Sequence, residues 1–437
     1  MIPLGWQEIA ALGLGELRGA PVDDVVRAIH DDSRIAGAGH LFVALNTGTR
    51  FVEDALASGA ATLVPHDQEA ALAAMAALVR GRSDAQVVAV VGSTGKTTTK
   101  DVLGALCAAV TPTVAADASR NNELGLPLTV LRLEAETRVL VTEMGMRGLG
   151  QIAELCRIAR PTLALVTSLG PEHLELVGTV ADVARANAEA IEALPPDGIA
   201  VVPANEPLLE PYLRGDVRVH RFDPTALERI PLDESLTLSG RGHWSRWLFP
   251  LAGRRIPFVL PFSHRHLAHN VLAALTAYDA LGLPLEPVQG GLLRVSFSAW
   301  RGEVHPLPAG GLVVNDAYNA NPTSMRAALL DLTERAEGRR RVAILGEMAE
   351  LGAESGRYHD EIGALLAELG VEVVIAVGDP ARAYVSGARE GHFANDGRAV
   401  ADLLDVLAPG DAILVKASRA VGLEGIPALI EKHAQAW

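Results

Sequence analysis

Short apolar runs and longer amphipathic stretches alternate along most of this chain. Compact runs of valine, isoleucine and leucine predict buried strands, and apolar residues returning every three or four positions predict helices. Val87–Val91, Thr113–Ala116, Val139–Thr142, Leu163–Thr167 and Ile199–Val202 read as strands; Lys100–Val110, Leu149–Ala159 and Val180–Leu194 read as helices between them. Such alternation implies a parallel sheet with helices on both faces. The pattern begins again after Arg301. Gly311–Val314, Arg341–Leu345, Val371–Val377 and Ala412–Val415 predict strands, and Pro322–Arg335, Tyr358–Leu369, Arg398–Leu407 and Gly422–His433 predict helices. Near the start, the strands Leu41–Leu45 and Thr62–Pro65 flank a short helix, Ala55–Ala60, and an alanine-rich helix Glu69–Arg80 follows. Asp233–Leu260 departs from the alternation. Its short β-like pieces, with Trp244 and Trp247, predict a hairpin excursion before the helix His266–Leu281.

In open parallel sheets, ligands bind at the carboxyl ends of the strands, so the polar residues there are the candidates for chemistry. Val87–Val91 runs directly into Gly92-Ser93-Thr94-Gly95-Lys96-Thr97-Thr98 and then into a helix. Strand, glycine-bearing turn and helix start form a phosphate cradle. Backbone N–H groups and the helix dipole face the anion, Lys96 reaches the outer phosphates, and Thr97 can hold Mg²⁺. The general motif carries a glycine where this chain has Val90, so this is the shorter Gly-x-x-Gly-Lys-Thr form. Glu143 follows the strand Val139–Thr142, and His173 follows Leu163–Thr167 across a short loop; each alone could be a cap or a surface group, but a carboxylate and an imidazole on the rim of a phosphate cradle could hold a metal. In the last segment the strand ends carry Asn315–Pro322, Gly346–Met348, Gly378-Asp379 and Lys416–Arg419.

The polar turn Gly81–Asp84 marks a first boundary. The expected architecture is α/β in three domains: a small α/β N-terminal domain over 1–82, a central P-loop domain over 83–300, and a Rossmann-like doubly wound domain over 301–437. Composition narrows the function classes. The chain is 437 residues long and 49% hydrophobic with 4% aromatics, so alanine, valine and leucine must fill several ordinary cores. A net charge of -15 argues against nonspecific nucleic-acid or anionic-membrane binding. Cys107 and Cys156 lie in helical patterns and read as buried thiols. No apolar run reaches membrane-spanning length, and Met1–Ala10 lacks a leader's basic start, so a cytoplasmic protein, monomeric by default, is expected.

Taken in order, these motifs resemble the Mur ligases of bacterial peptidoglycan synthesis over nearly the whole chain. The resemblance rests on Asp32-Ser33-Arg34, the loop Gly92–Thr98, Asn121–Pro127, Glu143-Met144-Gly145 and His173-Leu174-Glu175. It continues through His269-Asn270, Arg301-Gly302, Asp316–Pro322, Gly346–Gly352 and Val415–Arg419. The runs Asn121–Pro127 and Tyr318–Pro322 resemble the family member that joins D-alanyl-D-alanine to UDP-MurNAc-tripeptide; the ligase of the preceding step carries an Asp-Tyr-Ala-His type run in the latter place. The resemblance implies an ATP-dependent amide ligase with Mg²⁺, working through an acyl phosphate, with ATP between the second and third domains. Lys96, Glu143 and His173 would be catalytic, and Thr97, Glu143 and His173 would hold metal. ATP would be bound by Gly92–Thr98, Asn270, Arg301 and Asp316. Ser33, Arg34, Asn46, Thr47, Asn121 and Asn122 match the UDP-substrate region, and Tyr318, Asn319 and Asn321 the D-alanyl-D-alanine end. A neighbouring amide ligase such as a folylpolyglutamate synthetase, and a non-ligase P-loop ATPase, are the alternatives.

One departure stands out. The family typically places a lysine, carbamylated by CO₂, in a helix after the metal-binding histidine, and here the matching stretch Val183–Glu189 has Asn187 in that place. No lysine occurs between Lys100 and Lys416, so no shift in alignment restores it. The expectation is an active ligase, indifferent to bicarbonate, whose second Mg²⁺ is held by Glu143, His173, ATP or acyl-phosphate oxygens and water, with the Asn187 amide oxygen as a further contributor directly or through water; the alternative is an inactive copy.

Overall fold

The structure, a computed structural model, describes residues 1–232 and 244–437. The part of the expected hairpin over 233–243 lies outside the described residues. Residues 1–167, 185–262 and 270–296 form one compact unit; residues 168–184, 263–269 and 297–437 form a second.

Two larger sheets build the first unit. A four-stranded sheet runs in the order Gly15–Arg18, Ala61–Pro65, His40–Val43, Ala28–His30, with only the first pair antiparallel. The helix Gln68–Gly81 that follows starts where the Asp67 carboxylate accepts the Ala70 N–H, buries Leu72, Met75 and Val79, and packs on the helices Gly125–Val130 and Gln151–Ala159. The second sheet has six parallel strands in the order Arg218–Phe222, Ile199–Pro203, Leu163–Val166, Gln86–Val91, Val139–Glu143, Thr113–Ala115. Val87–Val91 is fully buried, which explains an apolar run with no polar alternation. The chain leaves Gln86–Val91 toward one side of the sheet and later returns to fill its other side. The carboxyl ends of three adjacent strands, Val139–Glu143, Gln86–Val91 and Leu163–Val166, therefore meet at the switch point. The expected hairpin survives as Ser245–Leu251 paired with Arg254–Leu260, with Glu228–Ile230 added on the outer side of the first.

The second unit holds a six-stranded sheet in the order Glu303–Pro306, Leu312–Asn315, Ala412–Lys416, Arg341–Gly346, Val373–Val377, Glu390–Ala394, parallel except for the first strand. One side packs Val313, Ile344, Ile375 and Ile413 against Ile426 and Ile430 of the helix Ile426–Ala434. Several helix expectations change: the helix read over Lys100–Val110 runs Lys96–Ala108, and that read over Ala55–Ala60 runs Val52–Ala57. Arg398–Leu407, expected as an α-helix, is a tight 3-10 run over Ala399–Val406, closed in by the Asp396 side chain at its start and by Pro409 soon after its end. The last helix begins at Ile426 rather than Gly422, because Gly422 is left-handed at φ 73° and the chain turns there.

Candidate active site

The glycine loop sits where the topology puts it, after the central strand of the first unit's parallel sheet. The helix Lys96–Ala108 that follows has no side-chain cap and no acidic residue in its first turn, so its positive end favours an anion. Gly95 turns the chain at φ +79°, and a Cβ there would lie 2.3 Å from Asn270 Oδ1. Glycine is thus required by both conformation and space, and the closeness that demands it brings Asn270 against the loop. In this state Lys96 folds back, its ammonium donating to the Gly92 carbonyl. Thr167, at the end of the neighbouring strand, braces the loop from one side: its hydroxyl lies 2.6 Å from the Thr94 carbonyl and 3.1 Å from that of Val91. The sequence reading missed Thr167, though the strand-end rule that selected Glu143 points equally to it.

Glu143 ends the strand on the other side, in register with Val90. It is 1% exposed. Its Oε1 accepts the Asn121 amide at 2.8 Å, while Oε2 is buried with no hydrogen-bond partner among the described residues. A buried carboxylate oxygen without a donor is costly unless a cation meets it. Buried Thr97 opens the helix beside the loop. A carboxylate and a hydroxyl beside a phosphate cradle form a hard-oxygen donor set that fits Mg²⁺. Asn121, expected among the substrate contacts, spends its side chain orienting Glu143, and Asn122 Oδ1 accepts the Gly125 N–H at the start of the next helix.

Asn187 behaves differently from expectation. It is 1% exposed, and its Oδ1 accepts the Gly92 backbone N–H at 2.6 Å. The amide oxygen expected to face a metal instead clamps the first glycine of the phosphate loop. At the N-terminal sheet, the parallel neighbours Ala28–His30 and His40–Val43 bring Ser33, Arg34, Asn46 and Thr47 to one edge. There Arg34 grips the Asp32 carboxylate, at 2.6 Å for Nη2, and this hydrogen-bonded pair holds Asp32 down to about 2. The Asn46 N–H donates to Gln68 Oε1 at 3.1 Å.

The second unit contributes its own strand ends. Arg301 stacks over the Tyr318 ring with its guanidinium carbon 4.0 Å from the centroid. Asp316 is paired with Lys416 at 2.6 Å. Asn319 Oδ1 accepts the Ala320 N–H at 2.9 Å. Asn321 caps the helix Pro322–Ala336 by accepting the Ser324 N–H at 2.8 Å, so its side chain serves the fold. His173 lies in the left-handed region at φ 51°, and its Nδ1 is hydrogen-bonded to the Glu350 carboxylate, a partner the sequence reading did not name. Among the described residues no three His, Cys, Asp or Glu side chains cluster as a metal site, and no helix is long and apolar enough to cross a membrane.

Comparison with known proteins decides the family. Residues 90–278 match the family model of the Mur ligase middle domain and residues 300–419 that of the Mur ligase, glutamate ligase domain. The chain is 32% identical over 458 aligned positions to the UDP-N-acetylmuramoyl-tripeptide–D-alanyl-D-alanine ligase of Escherichia coli strain K12, covering 99% of each. The chain belongs to the MurF family of Mur ligases. The Bacillus subtilis ligase of the same name is 30% identical, with 92% of each chain covered. Among solved structures, Acinetobacter baumannii MurF superposes with a TM-score of 0.83 at 27% identity, covering 98% of this chain and 99% of that one. Thermotoga maritima MurF in complex with ADP gives 0.80 at 26% identity, covering 94% and 98%. A Mycobacterium tuberculosis folylpolyglutamate synthase reaches a TM-score of 0.62 at 18% identity over 83% of this chain and 94% of that one, a likeness of fold alone. These MurF relatives span the length of the chain, so the folylpolyglutamate alternative falls away.

Proposed function

We infer that this enzyme joins D-alanyl-D-alanine to UDP-MurNAc-tripeptide with ATP, giving UDP-MurNAc-pentapeptide, ADP and phosphate. The observation that carries the reading is the phosphate loop flanked by Glu143, whose Oε2 is buried without a donor among the described residues, in a chain alike to MurF ligases from end to end. A carboxylate is a poor acyl donor because its leaving group would be an oxide. Transfer of the γ-phosphoryl group to a carboxylate oxygen makes an acyl phosphate and releases ADP. The dipeptide amine then attacks the acyl carbon, the C–O bond to phosphate breaks, and the amine gives up a proton. Both steps depend on positioning and on neutralising charge.

Lys96 would leave the Gly92 carbonyl and neutralise the outer phosphates, while the loop N–H groups and the helix end hold the inner ones. Thr97 and Glu143 would hold Mg²⁺, which supplies charge neutralisation on the phosphate oxygens when bound, and His173 is the candidate metal ligand of the second unit. Asn270 abuts Gly95 and is the candidate adenine contact. Arg301 and Asp316 are the candidate nucleotide contacts of the second unit. The UDP moiety is assigned to Ser33, Arg34, Asn46 and Thr47, supported by their common sheet edge, and Asn121 and Asn122 are assigned to the same substrate. Tyr318, Asn319 and Asn321 are assigned to the dipeptide, Asn321 while capping its helix. The four-stranded sheet and the two six-stranded sheets fall one each within 1–82, 83–300 and 301–437, which supports the three-domain division into substrate, ATP and completing domains. The reading expects a cytoplasmic monomer, checked by light scattering. Phosphate release from ATP tests the reading: it must require both UDP-MurNAc-tripeptide and D-alanyl-D-alanine, and release with neither would make the protein a plain ATPase.

A further inference from the structure

Lys416 is one of four lysines in a chain with 34 arginines. It is the last residue of the strand Ala412–Lys416 and is 2% exposed. Its ammonium donates to Asp316 Oδ2 at 2.6 Å, to the Asn319 carbonyl at 2.8 Å, and lies 3.4 Å from the Asp316 carbonyl. Three acceptors meet three N–H donors on one small cation. The strand end around it holds the same loop at further points. The Asp316 N–H donates to the Val415 carbonyl at 2.9 Å, and the Ser418 hydroxyl donates to the Ala320 carbonyl at 3.3 Å while accepting the Ala349 N–H at 2.8 Å. From another side, the Tyr318 N–H donates to the Trp300 carbonyl at 3.2 Å, and Arg301 lies on the Tyr318 ring.

We propose that Lys416 is a positioning residue that locks Asp316–Ala320 into one rigid platform, so that the nucleotide-side carboxylate and the dipeptide-side residues are set together. This rests on the assignment of Asp316 to ATP and of Tyr318 and Asn319 to D-alanyl-D-alanine. A single ammonium grips the side chain of the first residue and the backbone of the fourth, and what it fixes at one end it fixes at the other. The residue type follows from geometry. Three acceptors converging on a point suit a compact ammonium with rotatable donors, whereas the planar fork of arginine spreads its donors and needs more room than a buried strand end offers. That accounts for a lysine at this place in a chain that otherwise favours arginine.

The test uses the full-length enzyme carrying Lys416→Met, which keeps the stem and removes the charge, and Lys416→Arg, which keeps the charge. KM for ATP, KM for D-alanyl-D-alanine and kcat are measured by phosphate release, and binding of UDP-MurNAc-tripeptide by calorimetry. The proposal expects both KM values to rise together, at least tenfold in Lys416→Met, with UDP-substrate affinity within twofold of wild type. Lys416→Arg is expected to fall short of rescue in both KM values. A purely structural role would lower kcat per mole of protein and the melting temperature while leaving both KM values in place, and that result overturns the proposal, as does a rise in one KM alone. Should Lys416→Met not fold, Lys416→Arg carries the test, and wild-type KM values in it overturn the proposal. Failure of the wild-type enzyme to need both substrates would strike the underlying assignment instead.

Discussion

Replacing Asn187 with alanine removes the side-chain oxygen that accepts the Gly92 N–H. The bond is 2.6 Å long and buried, and alanine offers no acceptor in its place. A buried donor left without an acceptor costs about 1–3 kcal/mol. If that cost fell wholly on the competent loop conformation, kcat/KM for ATP would drop roughly five- to 150-fold, at about 1.4 kcal/mol per factor of ten. UDP-substrate binding at the N-terminal sheet should be unmoved. The Glu143→Ala variant should lose more, because it removes a preorganised charge, usually worth at least about a hundredfold. Asn187→Lys sharpens the test. A lysine ammonium has donors only and cannot accept the Gly92 N–H, so this variant should be as poor as Asn187→Ala when CO₂ is depleted; a carbamate formed on it would restore acceptor oxygens. The wild-type enzyme, with an amide already in place, should be indifferent to bicarbonate. Steady-state kinetics in degassed buffer with and without bicarbonate, at matched ionic strength, measure all four quantities. Strong reactivation of depleted wild-type enzyme, or an Asn187→Ala enzyme with unchanged kinetics for ATP, would refute the clamp.

Three further outcomes follow from named contacts. Gly95→Ala must move either the φ +79° turn or Asn270, 2.3 Å from the added methyl, and is expected to abolish detectable ATP binding in calorimetry while the protein still binds its UDP substrate. Burial lowers His266 and His269 to about 4, whereas in the unfolded chain each titrates near its ordinary value. The folded state therefore disfavours their protons: their stability contribution is complete above about pH 6.5 and is lost as pH falls toward 4. Burial instead raises Asp331 to about 6, which favours the fold in the opposite direction as pH falls through the same window. With two histidines against one carboxyl, melting temperature should fall on acidification, and His266→Leu should flatten the slope; an unchanged slope would contradict the burial argument. Finally, burial raises the Cys107 and Cys156 thiols to about 12, so neither should react with a thiol reagent until the protein unfolds.

What was legible in the sequence was local. The phosphate loop announces itself because a strand, two glycines, a lysine and a helix occupy consecutive positions. The central strands announce themselves because both faces are buried. Arg218–Phe222 and Glu390–Ala394 went unread because they are sheet edges in which Arg218, His220, Arg221, Glu390 and His392 interrupt any apolar run. The contacts that decide what the candidate residues do join distant positions. Asn187 reaches Gly92 across 95 residues, and Lys416 reaches Asp316 across 100. No periodicity records such pairs. For the same reason the Asn121 bond to Glu143 and the Asn321 helix cap could not be read from the sequence.

The central claim is that the Gly92–Thr98 loop activates a carboxylate with ATP for attack by an amine. Lys96 is the group in which that claim concentrates. Phosphate release with ATP, UDP-MurNAc-tripeptide and D-alanyl-D-alanine all present should fall at least about a hundredfold in Lys96→Ala, with UDP-substrate affinity retained. Near-normal, two-substrate-dependent turnover in that variant would contradict the account.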